Sequence, residues 1–314
     1  MESKPTDHPI VRMASPLAPT LGVWMIAQLF QAILYGMGLL QVYLYFLWYN
    51  DRWWTKGAVI LVTIFETLQT GFFFAATYDL FIDNFGVFGP LQPYPWQAVA
   101  QLLCLTLSTF VAQEYFAYGI YLLHKRTVIF PLFLAALALA SLGAGIAQTT
   151  ILFKVKVFAE LDKTSTALNA QAGLALACDV FITAGLCWRL NVSRSGIQST
   201  NKLINFLIVT ALNRGVLTMV TAALNIVFFL TKPTAFYFIF MNVICGKFYM
   251  NSMLAMLNTR DHAHSLARLG TSISMSGFSA NNRNQNETAV GVNVTVTKVS
   301  DEDQHPHDGK LPAF

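Results

Sequence analysis

Residues 13–50 read MASPLAPTLGVWMIAQLFQAILYGMGLLQVYLYFLWYN, and no charged side chain occurs between Arg12 and Asp51. A helix rises ~1.5 Å per residue, so about 20 apolar residues cross the ~30 Å hydrocarbon core of a bilayer. The run is too long for the apolar core of a signal peptide, and neither a basic segment ahead of it nor a small-residue cleavage site accompanies it. It reads as a retained first membrane span at 21–49. Before it, Pro5, Pro9, Pro16 and Pro19 make residues 1–20 an irregular leader.

The rest of the chain repeats the pattern. Charged residues make up 11% of the 314, apolar residues 55%, and the mean hydropathy is +0.50. Soluble proteins carry roughly 25% charge, and a soluble chain of this size could not cover its surface with so little. Further spans fall at 57–81, 97–123, 128–153, 168–188, 203–230 and 235–257, separated by short connectors that hold the charges and the helix breakers. Backbone groups in hydrocarbon must satisfy one another within a segment, so spans of this length are helices, while barrel strands would be shorter and alternate in polarity. The expected fold is all-α: a polytopic seven-transmembrane-helix bundle over 21–257, followed by a disordered cytosolic tail at 258–314 rich in Ser, Asn, Thr and Gly.

Charge sets the orientation and removes one class of function. Arg52, Lys56, Lys125, Arg126, Arg189, Arg194, Lys202, Arg260 and Arg268 lie on one side, nine against the six of Lys4, Arg12, Lys154, Lys156, Lys163 and Lys232. The side richer in Lys and Arg is cytosolic, which puts the N-terminus outside and the C-terminus in the cytosol. The sequons at Asn191, Asn286 and Asn293 then face the cytosol and stay unglycosylated. A net charge of +4 with no basic stripe is no footprint of nucleic-acid binding. The four cysteines (Cys104, Cys178, Cys187, Cys245) sit inside apolar runs and read as small buried residues. Tyr43, Tyr45, Phe46, Trp48, Tyr49, Trp53 and Trp54 crowd the end of the first hairpin, where amphipathic rings suit the headgroup level.

Five charges lie deep within the spans: Glu66, Glu114, Asp179, Arg214 and Lys247. Each is about ten residues from the cytosolic end of its own helix, or ~14–17 Å in, near mid-membrane. A charge facing lipid costs at least ~2.5–3.5 kcal/mol on insertion scales, so all five are expected to face inward and pair at one shared interior spot. Asp179 with Arg214 joins neighbouring helices, Lys247 is shared by Glu66 and Glu114, and one carboxyl is left over as a proton site or ligand contact. Gln41, Gln69, Gln113, Asn213 and Asn242 supply donors and acceptors around them. The competing reading makes the charges glue that fixes helix register. Asp79 lies near the outer end of its helix, within reach of water.

Familiar site signatures are absent from the sequence. His124 is the lone histidine near a span, and no HExxH, GxSxG or Walker stretch occurs, so no enzyme chemistry, metal or cofactor is expected. Lys247 in the seventh span invites comparison with retinal proteins, but the sixth span has no tryptophan or proline to wall a chromophore. In the fourth span, Ser141 with Gly145 and Ala140 with Ala144 form small-residue rows that allow close helix approach, inside the bundle or at a dimer seam. Three functions stay open: a receptor or sensor for a small or lipophilic ligand with a cytosolic partner on the tail, a proton-coupled small-molecule transporter, and a structural membrane protein.

Several segments carry a resemblance. Asp179-Val-Phe-Ile-Thr, Arg194-Ser-Gly-Ile-Gln-Ser-Thr with Lys202-Leu-Ile, Arg214-Gly-Val-Leu-Thr218, Gln113-Glu-Tyr-Phe116 and Gly38-x-x-Gln41-x-Tyr43-x-Tyr45 accompany Lys247-Phe-Tyr-Met-Asn-Ser-Met-Leu-Ala-Met-Leu-Asn-Thr-Arg260. Together, over roughly 20–260, they resemble an uncharacterised seven-span integral membrane family, a domain of unknown function, of mushroom-forming fungi. The closing Lys-x-Tyr-x-Asn-Ser stretch is the most specific part. The arginine that usually follows the family's aromatic pair is replaced near Gly119. The resemblance implies a multi-pass architecture and brings no assigned activity.

Overall fold

The computed structural model describes residues 18–85, 94–123, 128–155, 157–192, 198–231 and 235–259. Among them are seven long helices: α1 Val23–Trp48, α2 Trp53–Tyr78, α3 Trp96–Leu123, α4 Ile129–Lys154, α5 Ser165–Val192, α6 Gln198–Thr231 and α7 Tyr237–Asn258. Wider π-turns extend α1 backwards over Ala18–Gly22 and α2 forwards over Asp79–Asp83, and a 3₁₀ segment, Phe158–Thr164, leads into α5. No β-strand occurs among the described residues. The expected leader, apart from its last three residues, lies outside them, as do residues 260–314 of the expected tail with Asn286 and Asn293.

Six stretches are long and apolar enough to cross a membrane: Ala18–Trp48, Trp53–Asp83, Ile129–Lys154, Ser165–Val192, Ala211–Thr231 and Tyr237–Asn258. Helix α3 is equally long but is not among these stretches, and Gln97, Gln101, Gln113 and Glu114 lie in it. Its surroundings explain the difference. It packs against α2, α4, α5 and α7, and only Trp96, Tyr118 and Leu122 of its described side chains are exposed. A helix that meets protein on nearly every side has no need of a lipid-compatible surface.

The polarity of the bundle is inverted relative to a water-soluble one. On α1, Met25, Leu29, Phe30, Ile33, Met37 and Leu40 point outward, while Ala27, Gln31 and Gly38 point in. The same holds elsewhere: Gln69, Gln101, Gln113 and Gln148 are buried while Leu132, Phe153, Val216 and Leu230 are exposed. An apolar surface of this extent is unsupportable in water, where exposed apolar patches rarely exceed a few hundred Å². The chain is a multi-pass membrane protein. The exposed Trp48, Trp53 and Trp54 suit the expected aromatic belt, whereas Tyr45 turns inward and donates to Asp51 (3.0 Å).

Successive helices pack side by side, and α1 closes on α7. The ring is pinned at one end by the Phe236 amide, which donates to the Pro19 carbonyl (3.0 Å). Ser141 and Gly145 face inward, not toward a second copy: a Cβ at Gly145 would lie 2.5 Å from Thr106 on α3. Two large apolar layers lie in the interior, beside a smaller cluster around Leu102, Leu105 and Leu152. One gathers Val62, Phe116, Ile182 and Met250, the other Trp24, Phe73, Phe238 and Val243. Glu66 lies in sequence between Val62 and Phe73, and Lys247 between Val243 and Met250, so both fall between the layers.

Candidate functional site

Lys247 and Glu66 form a fully buried ion pair, Nζ to Oε2 2.5 Å, with both side chains 0% exposed. The ammonium also donates to Gln69 Oε1 (2.5 Å) and to the Glu66 carbonyl (3.3 Å), which uses all three of its hydrogens. The second carboxylate oxygen, Oε1, accepts from Ser108 on α3 (2.6 Å). Tyr35 of α1 turns its ring toward Nζ, 5.6 Å from the centroid. Room for the carboxylate comes from Gly246, where a Cβ would sit 2.9 Å from Glu66 Oε1 and 2.6 Å from Leu105. Four helices thus converge on one neutralised pair.

A second buried centre lies on another face of α7. Asp179 of α5 is 0% exposed; it accepts from Tyr249 (2.5 Å) and from Gln113 Nε2 (3.4 Å), which also donates to the Ala175 carbonyl (3.3 Å). Lys247 and Tyr249 are two residues apart, roughly 200° of helical rotation, so they leave α7 in nearly opposite directions. The single shared spot expected from the sequence is therefore divided in two, with α7 between the halves. The side chain of Arg214 lies outside the described residues. Its neighbour Gly215 brings α6 against Thr183, one turn beyond Asp179.

Glu114 takes no part in the Lys247 network, contrary to the expected sharing. It follows Gln113, which faces Asp179, so its side chain is turned ~100° away. It lines a groove of about 270 Å³ with Tyr118, Tyr121, Pro131 and Leu132, and its Oε1 is buried without a hydrogen-bond partner. Asn213 is exposed on α6 rather than interior. Gln41 instead ties α1 to α7, donating to Asn251 Oδ1 (3.2 Å). Asn251 in turn donates to the Leu34 carbonyl (3.0 Å), and Asn258 to the Gln41 carbonyl (2.8 Å).

Asn242 opens onto a cavity that sequence reasoning missed. About 40 Å³ in size, it lies near the α3 and α7 N-termini and is lined by Trp24, Tyr94, Gln101, Gln148, Thr164 and Phe238 among others. Gln148 is 3% exposed and its Oε1 has no partner. Loss of solvation holds the Tyr94 phenol above its ordinary value, so it stays neutral. A hydrogen-bond chain joins this cavity to the ion pair. Lysine can only donate, so Gln69 presents its oxygen to Lys247 and its Nε2 to Gln101 Oε1 (3.4 Å). That fixes the sense of the relay and leaves the Gln101 amide nitrogen for the cavity. The signal that could have found Gln101 and Gln148 is the one used for the charges: a primary amide in an otherwise apolar span needs an interior partner.

Residues 175–262 match the model of a family of unknown function (DUF6534). The matched stretch contains Asp179, Arg214, Lys247, Tyr249 and Asn251 and covers less than half the chain. No curated protein and no solved structure matches the chain.

Proposed function

We propose that the chain is a non-catalytic, seven-span sensor of receptor type, N-terminus outside and C-terminus cytosolic. A small ligand occupies the cavity and is read by the Glu66–Lys247 pair that anchors α7. The observation that carries this reading is the directed chain Gln101–Gln69–Lys247, whose cavity end has an unused donor and whose far end is the clamp on α7. Changing what Gln101 bonds changes what Gln69 offers Lys247, and α7 leads into the tail, where a cytosolic partner would bind.

Hydrogen–deuterium exchange of α7 in nanodiscs tests the coupling. Washing out whatever co-purifies in the cavity is expected to alter protection over 243–258 in the wild type and to have no such effect in Gln69→Leu. Unchanged protection in the wild type would remove the sensor reading. Transport has one observation in its favour, the unpartnered Glu114 carboxylate oxygen. That residue opens on a groove that shares no lining residue with the cavity, and pH-gradient-driven uptake in proteoliposomes would establish the transport reading instead.

A further inference from the structure

We propose that the cavity between α3, α4 and α7 is a site for a small, uncharged polyol, a molecule of a few carbons with two or more hydroxyl groups. This rests on the sensor reading and specifies its ligand.

Among the described residues, the cavity wall carries no charged side chain, and a charged guest would give up its hydration without a counter-charge there to replace it. What the wall offers is a mixture of donor and acceptor valences. Gln148 presents a buried, unpartnered carbonyl oxygen. Gln101 has its oxygen engaged by Gln69, which leaves the amide nitrogen as donor. Thr164 donates its own proton to the Leu161 carbonyl (2.7 Å), so its oxygen is left to accept. Asn242 adds an amide group that can both donate and accept. A hydroxyl group both donates and accepts, and several hydroxyls on adjacent carbons match amides spread over three helices.

The surroundings lean the same way. Gln97, one turn from Gln101, and Asn225, one turn from Phe229 of the lining, each have a buried oxygen with no partner. Trp24 and Phe238 provide apolar walls for the C–H faces of such a molecule. A single water needs about 10–15 Å³ of this kind of space, so a cavity of about 40 Å³ takes the bulk of about three such groups.

Glycerol is the probe. Saturation-transfer NMR on the full chain in nanodiscs is expected to show saturable glycerol binding at millimolar concentration, weakened at least fivefold in Gln148→Leu. Ala98→Leu, which fills the cavity from α3, is the second variant and is expected to act likewise; Glu114→Gln, in the separate groove, is expected to bind as the wild type does. Equal binding by all three variants would overturn the site. If 1-propanol binds and glycerol does not, the polyol assignment fails while a ligand cavity, and with it the sensor reading, survives. If neither binds, both fail.

Discussion

Lys247 has every hydrogen of its ammonium engaged and no exposure to solvent or lipid. Removing one partner from such a pair strands a buried charge and costs about 3–5 kcal/mol, whereas replacing both with uncharged groups is often close to neutral. Lys247→Met is therefore expected to lower the melting temperature in detergent sharply, and Glu66→Gln with Lys247→Met to recover most of the loss. Strict additivity of the two changes would show that the residues do not interact. The glycines give a sharper comparison. A Cβ at Gly38 would meet the flexible end of Met250, 2.9 Å away, while one at Gly246 would meet Leu105 and the pinned carboxylate of Glu66. Methionine repacks easily, so Gly38→Ala is expected to cost less than about 1 kcal/mol and Gly246→Ala about 1–3 kcal/mol. Reversal of that order in thermal unfolding would mean the carboxylate is not held where it stands.

Helix α7 shows what could be read from the sequence and what could not. Its length and its limits within two residues followed from hydropathy and the 1.5 Å rise. The direction each side chain takes did not. A soluble amphipathic helix marks its inner face with an apolar stripe, but a helix between lipid and a partly apolar core is apolar on both sides, and the stripe disappears. Depth alone made Glu66 and Glu114 equivalent partners for Lys247, and only rotation about α3 separates them. The closing stretch of α7 becomes intelligible once rotation is known: Lys247 reaches α2, Tyr249 reaches α5, and Asn251 reaches α1. Asn251→Leu removes both the Leu34 carbonyl bond and the Gln41 bond, so faster amide exchange is expected in 33–41 of α1, with α5 unaffected. Acceleration spread evenly over all helices would mean that Asn251 supports global stability and not this seam.

At the scale of the whole molecule, the outstanding quantity is the parity of the crossings. Six stretches are apolar enough to span on their own, which would put both chain ends on one side; counting α3 makes seven and puts them on opposite sides. Hydropathy is the wrong criterion for α3, because that number measures compatibility with lipid and α3 is wrapped by α2, α4, α5 and α7. Three of its polar residues are spent on protein partners: Ser108 on Glu66, Gln101 on Gln69, Gln113 on Asp179. It packs against both of its sequence neighbours, and a 28-residue helix at ~1.5 Å per residue is longer than the ~30 Å core. Single-cysteine labelling in sealed vesicles, on a background with Cys104, Cys178, Cys187 and Cys245 replaced, decides the count. A membrane-impermeant maleimide added outside is expected to label Phe85→Cys, after α2, and to leave Asn50→Cys and Thr259→Cys unlabelled until the vesicles are opened. Labelling of Phe85→Cys and Thr259→Cys from the same side would mean that α3 does not cross. The cavity and the ion pair would then have to be placed relative to the two faces afresh.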